Sequence, residues 1–187
     1  MFRRLSLAAC AAAALATGTA SGQATAEKMP VSDTLFAATA ADGGMTEVII
    51  AEMGVKKATD PELKKFSEQM VAEHTKVNDE LKALAARKGV ALPTTIAVGH
   101  QFCGQNLAGL SGQEFDTAYA LSQHILHLDT IAVFEAEAER GQDPDVKAFA
   151  AKTLPHIIGH TKQLEPIAMK YKKLKDEKLE KNMKAHQ

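Results

Sequence analysis

Two short segments with the same chemistry constrain the fold of this chain more than any other feature. Asp60-Pro61-Glu62 and Asp143-Pro144-Asp145 each supply a helix N-cap, a proline in the first turn and an acidic residue in the first turn. Apolar residues recur at helical spacing on both sides of each segment, and no strand-like alternation of useful length appears after residue 26. The pattern predicts two helical hairpins in tandem.

Four helices are predicted from their end signals. Their spans are 32–58, 60–89, 111–140 and a last helix from 143 onward. Gly43-Gly44 lies inside the first, Ser111 and Glu114 have capping-box spacing at the start of the third, and Pro155 is expected to bend the fourth. The Lys-rich end of the chain, 171–187, is predicted to be a solvated helical extension that frays.

The segment between the hairpins, 90–110, is rich in Gly and contains Pro93-Thr94-Thr95. A helix of about 28 residues is roughly 40 Å long, and an extended linker of this length can cover that distance. A short–long–short order of connections is typical of ferritin-like bundles, in which the middle connection crosses the whole bundle. We therefore expect an all-α, ferritin-like four-helix bundle over 32–170.

The first 26 residues have the pattern of a secretory signal peptide. Arg3 and Arg4 precede a short apolar run, and small residues allow cleavage after residue 22 or after residue 26. A lipoprotein box ending at Cys10 would leave almost no apolar stretch before the cut, so lipidation is discounted. We expect a periplasmic or secreted protein with no membrane span after cleavage.

Charge and cysteine content exclude several classes of protein. Cleavage leaves 20 basic and 23 acidic residues, a net charge of −3, which gives no argument for nucleic-acid binding. Cys103 is then the only cysteine, so there is no disulfide framework. The chain shows no nucleophile elbow, phosphate loop or nucleotide fingerprint. Whether it is an enzyme is left open by the sequence, although the balance is against it, and no protein partner or oligomeric state is indicated.

Polar side chains interrupt the apolar seams of the predicted helices. His74 fills a seam position in helix 2, His156 and His160 fill gaps in helix 4, His127 borders the stripe of helix 3, and Glu47 lies on a small-residue face of helix 1. Counted from the two tight turns, Glu47 matches His74 in height and His127 matches His160, with roughly 4.5 Å between the two levels. Such a cluster of imidazole and carboxylate could hold Zn, Fe or Mn.

Three interpretations of this cluster stay open. Buried His and Glu can form a hydrogen-bonded polar layer without metal, which sets the register of the helices. The cluster could instead be a mononuclear metal site, to which His156 could add a ligand because it lies four residues before His160. It could also bind another ligand. The Glu-x-x-His motif of di-metal bundles is absent before His74, His127 and His160, so a di-iron oxidase or ferritin-type store is disfavoured.

Several segments together resemble the bacterial exported family called domain of unknown function 4142. They are the stretch from Phe36 through Gly-Gly-Met-Thr-Glu47, Met70-Val-Ala-Glu-His74, Leu84 to Pro93, Phe115-Asp-x-x-Tyr119 with His127, and Lys147 to Pro155 with His160. The resemblance covers about 32–164. It implies an exported protein similar in form to ferritin-like bundles, it places Glu47, His74, His127 and His160 at matching family positions, and it implies no activity.

Two functions are carried forward from the sequence. The first is a non-enzymatic stress or interaction module of the cell envelope, because no recognisable catalytic set is present. The second is a metal-binding or metal-dependent redox protein that uses the Glu/His cluster. A weaker third option is a carrier of a small ligand inside the helices, which would require an apolar internal pocket.

Overall fold

The computed structural model describes residues 31–185, which form five α-helices and, within that range, no strand. The helices are α1 (Asp33–Lys57), α2 (Pro61–Lys88), α3 (Val98–Ala108), α4 (Gly112–Arg140) and α5 (Pro144–Ala185). The prediction of an all-helical chain is confirmed. The predicted signal peptide lies outside the described residues. None of the five helices is both long enough and apolar enough to cross a bilayer.

Most of the predicted helix ends form as their residue types dictate. Asp60 accepts a hydrogen bond from Glu62 N at the start of α2, and Asp143 does the same for Asp145 N at the start of α5. Gly89 ends α2 in the left-handed conformation, with φ of 67°. Ser111 is the N-cap residue of α4, but its side chain makes no capping hydrogen bond, so the expected capping box does not form.

The four long helices pack as two hairpins laid against each other. α1 packs on α2 and on α4, and α5 packs on α4 and on α2. The buried apolar residues form two clusters rather than one continuous core. One cluster, around Phe66, Phe115 and Tyr119, surrounds the α1–α2 connection, and the other, around Phe36 and Phe149, lies toward the α4–α5 connection. The gap between the two clusters is where the interior becomes polar.

Each of the two hairpin connections is held by one aspartate of the other hairpin, and we call each such set of hydrogen bonds a clamp. Asp116 on α4 accepts hydrogen bonds from Thr59 N, Thr59 Oγ1 and Asp60 N in the α1–α2 connection. Asp33 at the start of α1 accepts from Gln142 N and Asp143 N in the α4–α5 connection. Each clamp satisfies backbone donors at the start of a helix, so the two hairpins are locked in register at both ends.

The long connection differs from its prediction, because 90–110 contains the helix α3 instead of being extended throughout. α3 packs on α1 and α4 and buries Leu107 completely. Lys57 Nζ donates to the carbonyl oxygens of Leu107 and Ala108 at 3.0 and 2.7 Å, which satisfies the C-terminal end of α3. No side chain caps the N-terminus of α3, so the usual start signal was missing from the sequence.

The last helix continues further than a bundle of this size requires. α5 runs through Pro155 and Pro166 without a break in its helical assignment, and every residue from 172 to 185 is exposed. The Lys-rich end is therefore a solvated extension of α5, helical as far as residue 185.

Candidate metal centre

Four polar side chains, one from each long helix, meet between the two apolar clusters. They are Glu47 from α1, His74 from α2, His127 from α4 and His160 from α5, and they are between 1 % and 7 % exposed. In each helix the apolar residues of one cluster precede the polar residue and those of the other cluster follow it. The height matching predicted from the two tight turns is thus observed in the structure.

The three imidazole rings form a compact triangle. The ring centroids of His74, His127 and His160 are 5.6 Å apart in all three pairs. One ring nitrogen of each lies within 4.8 Å of the corresponding nitrogens of the other two. Since α2, α4 and α5 each contribute one ring, the helix packing itself creates this group of possible ligands.

Glu47 lies beside His127, with 3.3 Å between Glu47 Oε1 and His127 Nδ1. His127 Nδ1 is also 2.9 Å from the backbone oxygen of Gln123. A carbonyl oxygen only accepts hydrogen bonds, so this contact places the hydrogen of a neutral His127 on Nδ1 and the lone pair on Nε2. Neither carboxylate oxygen of Glu47 has a hydrogen-bond partner in the protein.

Glu73 joins the site although the sequence analysis did not select it. His160 Nε2 donates to Glu73 Oε2 at 2.7 Å, and Gln69 Nε2 donates to Glu73 Oε1 at 2.9 Å. Glu73 precedes His74 directly, so on helical spacing it belongs to a different face of α2 and resembles a surface residue. No pattern in the sequence marks Glu73, because it is the packing of α2 beside α5 that brings it to His160.

The surroundings of the three histidines shift their pKa values in different directions. Burial lowers the pKa of His74 to about 4, with help from the charges of His127 and His160. Burial also lowers the pKa of His160, even though Glu73 opposes that effect. Burial is the largest single influence on His127 and would lower its pKa too, but the neighbouring Glu47 carboxylate and the Gln123 carbonyl together outweigh burial and raise the pKa. His74 and His160 are therefore neutral at pH 7, the state that binds metals.

The same charges act on Glu47. Burial favours the protonated form of its carboxyl group, but the nearby His127 and His74 outweigh burial and hold the pKa of Glu47 below its ordinary value. Glu47 is consequently a buried carboxylate at neutral pH. The site thus combines two neutral imidazoles, His74 and His160, with a third ring, His127, whose pKa is raised by the one fully buried negative charge beside it.

Each imidazole presents a ring nitrogen that has no hydrogen-bond partner in the protein. These atoms are His74 Nε2, His127 Nε2 and His160 Nδ1, and all three are buried. A structural polar layer would satisfy such atoms with one another, because an unmade buried hydrogen bond costs about 1–3 kcal/mol. Three unpartnered nitrogens beside a carboxylate could hold a metal ion, and two of the rings have their other nitrogen oriented by an acceptor.

A cavity of about 250 Å³ borders the triangle between α1, α2 and α5. His74, His160 and Glu47 line it, and so does His156, which is exposed and lies outside the group of three close rings. His100 pairs with Asp42 at 2.8 Å. The structure thus brings four of the five predicted site residues together and leaves His156 at the edge.

Comparison with known proteins supports the helical fold and a family. The model of a family described as "Domain of unknown function (DUF4142)" matches residues 18–167. The DUF305 fragment from Deinococcus radiodurans is similar in structure, with a TM-score of 0.65, 11 % identity, and coverage of 74 % of this chain and 95 % of that one. The structure titled "CopM in the Cu(II)-bound form" has a TM-score of 0.65 and 17 % identity, and the match covers 76 % and 99 % of the two chains. No curated protein matches this sequence.

Proposed function

Since this chain belongs to the DUF4142 family, whose description names no activity, we propose from the site itself that it binds one transition-metal ion through His74, His127 and His160. The single observation that carries the proposal is the set of three buried, unpartnered ring nitrogens, one on each of three helices. Glu47 would be the fourth ligand or would compensate the charge of the ion. Glu73 and the Gln123 carbonyl would orient His160 and His127 from behind.

The donor chemistry favours copper. Three imidazole ligands suit Cu, Zn, Fe or Ni better than Mg or Ca, and for a given nitrogen and oxygen site the affinity of divalent ions peaks at Cu(II). A protein of similar fold is described in a Cu(II)-bound form, which adds copper to the Zn, Fe and Mn expected from the sequence. We propose Cu(II) as the ion, with Zn(II) as the nearest competitor for the same ligands.

The setting of this function follows from the remaining sequence signals. A signal peptide over residues 1–26 would export the protein to the periplasm or beyond, where it would act as a metal-binding protein of the cell envelope. The tandem hairpins with a long connection support a ferritin-like bundle as the architecture. In this proposal the role is carriage or buffering of the ion, in keeping with the non-enzymatic expectation.

The proposal is tested by measuring metal in the mature protein, purified from an envelope fraction without chelator or histidine tag. We expect close to one equivalent of Cu(II) after titration, with nitrogen hyperfine structure in the EPR spectrum. His127→Ala is expected to abolish tight binding. His124→Ala is the matched control, because His124 lies on the same helix, is only half-buried and is outside the group of three rings.

Circular dichroism shows whether each sample is folded. A folded parent that takes up no Cu(II) or Zn(II) would contradict the proposal and return the cluster to the role of a structural polar layer. Full binding by a folded His127→Ala variant would contradict it as well, because the three rings would not be the ligands.

A further inference from the structure

The cavity beside the three histidines touches the candidate metal centre on one side only. His74 and His160 line it, whereas His127 does not. Most of the remaining surface is apolar and comes from all four long helices, with Ala40 on α1, Val77 on α2, Phe134 on α4 and Ile157 on α5. Charged side chains also line it: Lys76, Glu80 and Lys152. The space therefore leads to the face of the imidazole triangle from the side where α2 and α5 approach each other.

Two adjacent glycines on α1, Gly43 and Gly44, differ in the space available for a side chain. A Cβ atom on Gly44 would lie 1.9 Å from Asn78 Oδ1, so Gly44 permits the close approach of α1 and α2. A Cβ atom on Gly43 would meet nothing closer than Thr130 Oγ1 at 4.0 Å. Gly43 also has an ordinary negative φ and sits inside a helix, where alanine would be more favourable by about 1 kcal/mol. Neither packing nor backbone conformation requires glycine there.

What Gly43 does is keep the cavity open. It lines the cavity and lies one helical turn before Glu47, so a larger side chain would project into the space next to the Glu47 carboxylate. The charged residues Lys152 and Glu80 also line the cavity, and they pair at 2.8 Å across α5 and α2. The open volume thus reaches from a charged rim to the donor set.

We propose that this cavity is a binding site for a second, exogenous ligand of the metal. Its class is a small monodentate donor of a few atoms, because three imidazoles leave coordination positions open and the apolar walls disfavour a bulky, highly charged ion such as phosphate. This inference rests on the proposed function, since the ligand would be held by the bound ion. In this proposal a small ligand reaches the bound ion through the cavity.

The test uses azide as the probe of the Cu(II)-loaded protein and follows its charge-transfer absorption band and the EPR spectrum. The parent and Gly43→Ala should both bind azide, because a methyl group leaves most of the cavity open. Gly43→Leu and Val77→Phe fill the cavity from α1 and from α2 and should weaken azide binding at least tenfold while copper content stays near one equivalent. Phosphate should cause no spectral change in any sample.

The outcomes separate this inference from the proposed function. If the parent binds no metal, the proposed function fails first. If the parent holds copper but azide leaves its spectra unchanged, only the inference fails. Copper-loaded Gly43→Leu and Val77→Phe that bind azide as tightly as the parent would also overturn it, since the ligand would then enter elsewhere. Loss of copper from both filled variants would overturn it too, because the space would belong to the metal site itself.

Discussion

His160 Nε2 on α5 lies 2.7 Å from Glu73 Oε2 on α2, and both residues of this contact line the cavity. Burial opposes ionisation of Glu73, but the hydrogen bonds from His160 and Gln69 hold the pKa of Glu73 below its ordinary value. The carboxylate thus keeps the hydrogen of His160 on Nε2 and turns the buried Nδ1 toward the other rings. In the proposed function, Glu73 would orient His160 for binding the metal ion.

Replacing this carboxylate should weaken metal binding without unfolding the chain. We expect Glu73→Ala to reduce Cu(II) affinity about 10- to 100-fold, because partners that orient a ligating histidine contribute on that scale. Isothermal titration measures the affinity directly. The control is Glu80→Ala, which removes a carboxylate of the same helix whose partner is Lys152 rather than a histidine. Equal affinities in the two variants would show that Glu73 does not orient His160.

A second carboxylate should make stability depend on pH. The side chain of Glu137 is buried against Asp33, and burial together with the neighbouring charge raises its pKa from 4.5 to about 7. Between these values the folded chain holds a proton that the unfolded chain has released. The contribution of this group to the free energy of unfolding is therefore complete below about pH 4.5, declines as the pH rises and is lost above about pH 7, by at most about 3 kcal/mol.

The isosteric Glu137→Gln variant places an uncharged amide beside Asp33 at every pH. Its stability relative to the parent should increase between pH 5 and pH 8, as measured by urea unfolding of metal-free protein. The control is Glu135→Gln, at an exposed position on the same helix. Its free energy of unfolding should change with pH as that of the parent does. A constant difference between Glu137→Gln and the parent across this range would show that Glu137 does not titrate there.

The different surroundings of Gly54 on α1 and Gly159 on α5 predict opposite effects on stability when each is replaced by alanine. A Cβ atom on Gly54 would lie 2.1 Å from Ser67 Oγ and 2.6 Å from Tyr119 Cζ, in a region where both partners are buried. Gly54→Ala should destabilise the protein by about 1–3 kcal/mol. Gly159→Ala meets nothing within 4 Å on the exposed side of α5, so it should stabilise by about 0.5–1 kcal/mol. Thermal unfolding measures the change in stability of each variant relative to the parent. Changes of the same sign in Gly54→Ala and Gly159→Ala would contradict this packing.

The clamp on the first hairpin connection should also be measurable. Asp116→Ala removes the acceptor for two backbone N–H groups and one hydroxyl group of Thr59 and Asp60. We expect a loss of about 2–3 kcal/mol in the free energy of unfolding, since these donors lose charge-assisted bonds. Asp129→Ala, at an exposed position of α4, should change stability by less than about 0.5 kcal/mol. Comparable losses in both variants would exclude a specific role for Asp116.

Helix boundaries were predictable because their signals are local. The N-cap aspartates at 60 and 143 and the C-terminal Gly89 act through backbone groups a few residues away, so the four long helices appear nearly where they were expected. α3 was missed because its stability depends on distant residues: Leu107 packs in the interior, and Lys57 binds the helix end from α1.

The candidate site, like the helices, has residues that the sequence predicted and features that it did not. Glu47, His74, His127 and His160 could be found because each interrupts an apolar seam or small-residue face of its helix, and the two tight turns relate their heights. Glu73 could not be found, since its partner is on another helix and its own position looks like the surface. The cavity also escaped prediction, because empty volume is a property of the packed helices and not of any one of them.

The sequence by itself determined where the four long helices lie, where the hairpins turn and that one polar side chain on each of these helices interrupts its inward face, because capping and periodicity are properties of neighbouring residues. Only the tertiary structure decided that three imidazoles face one another, that Glu73 orients His160, and that open space remains beside Gly43. These relationships depend on the rotation and spacing of one helix against another. That arrangement is set by the whole interior at once, so no single segment of sequence records it.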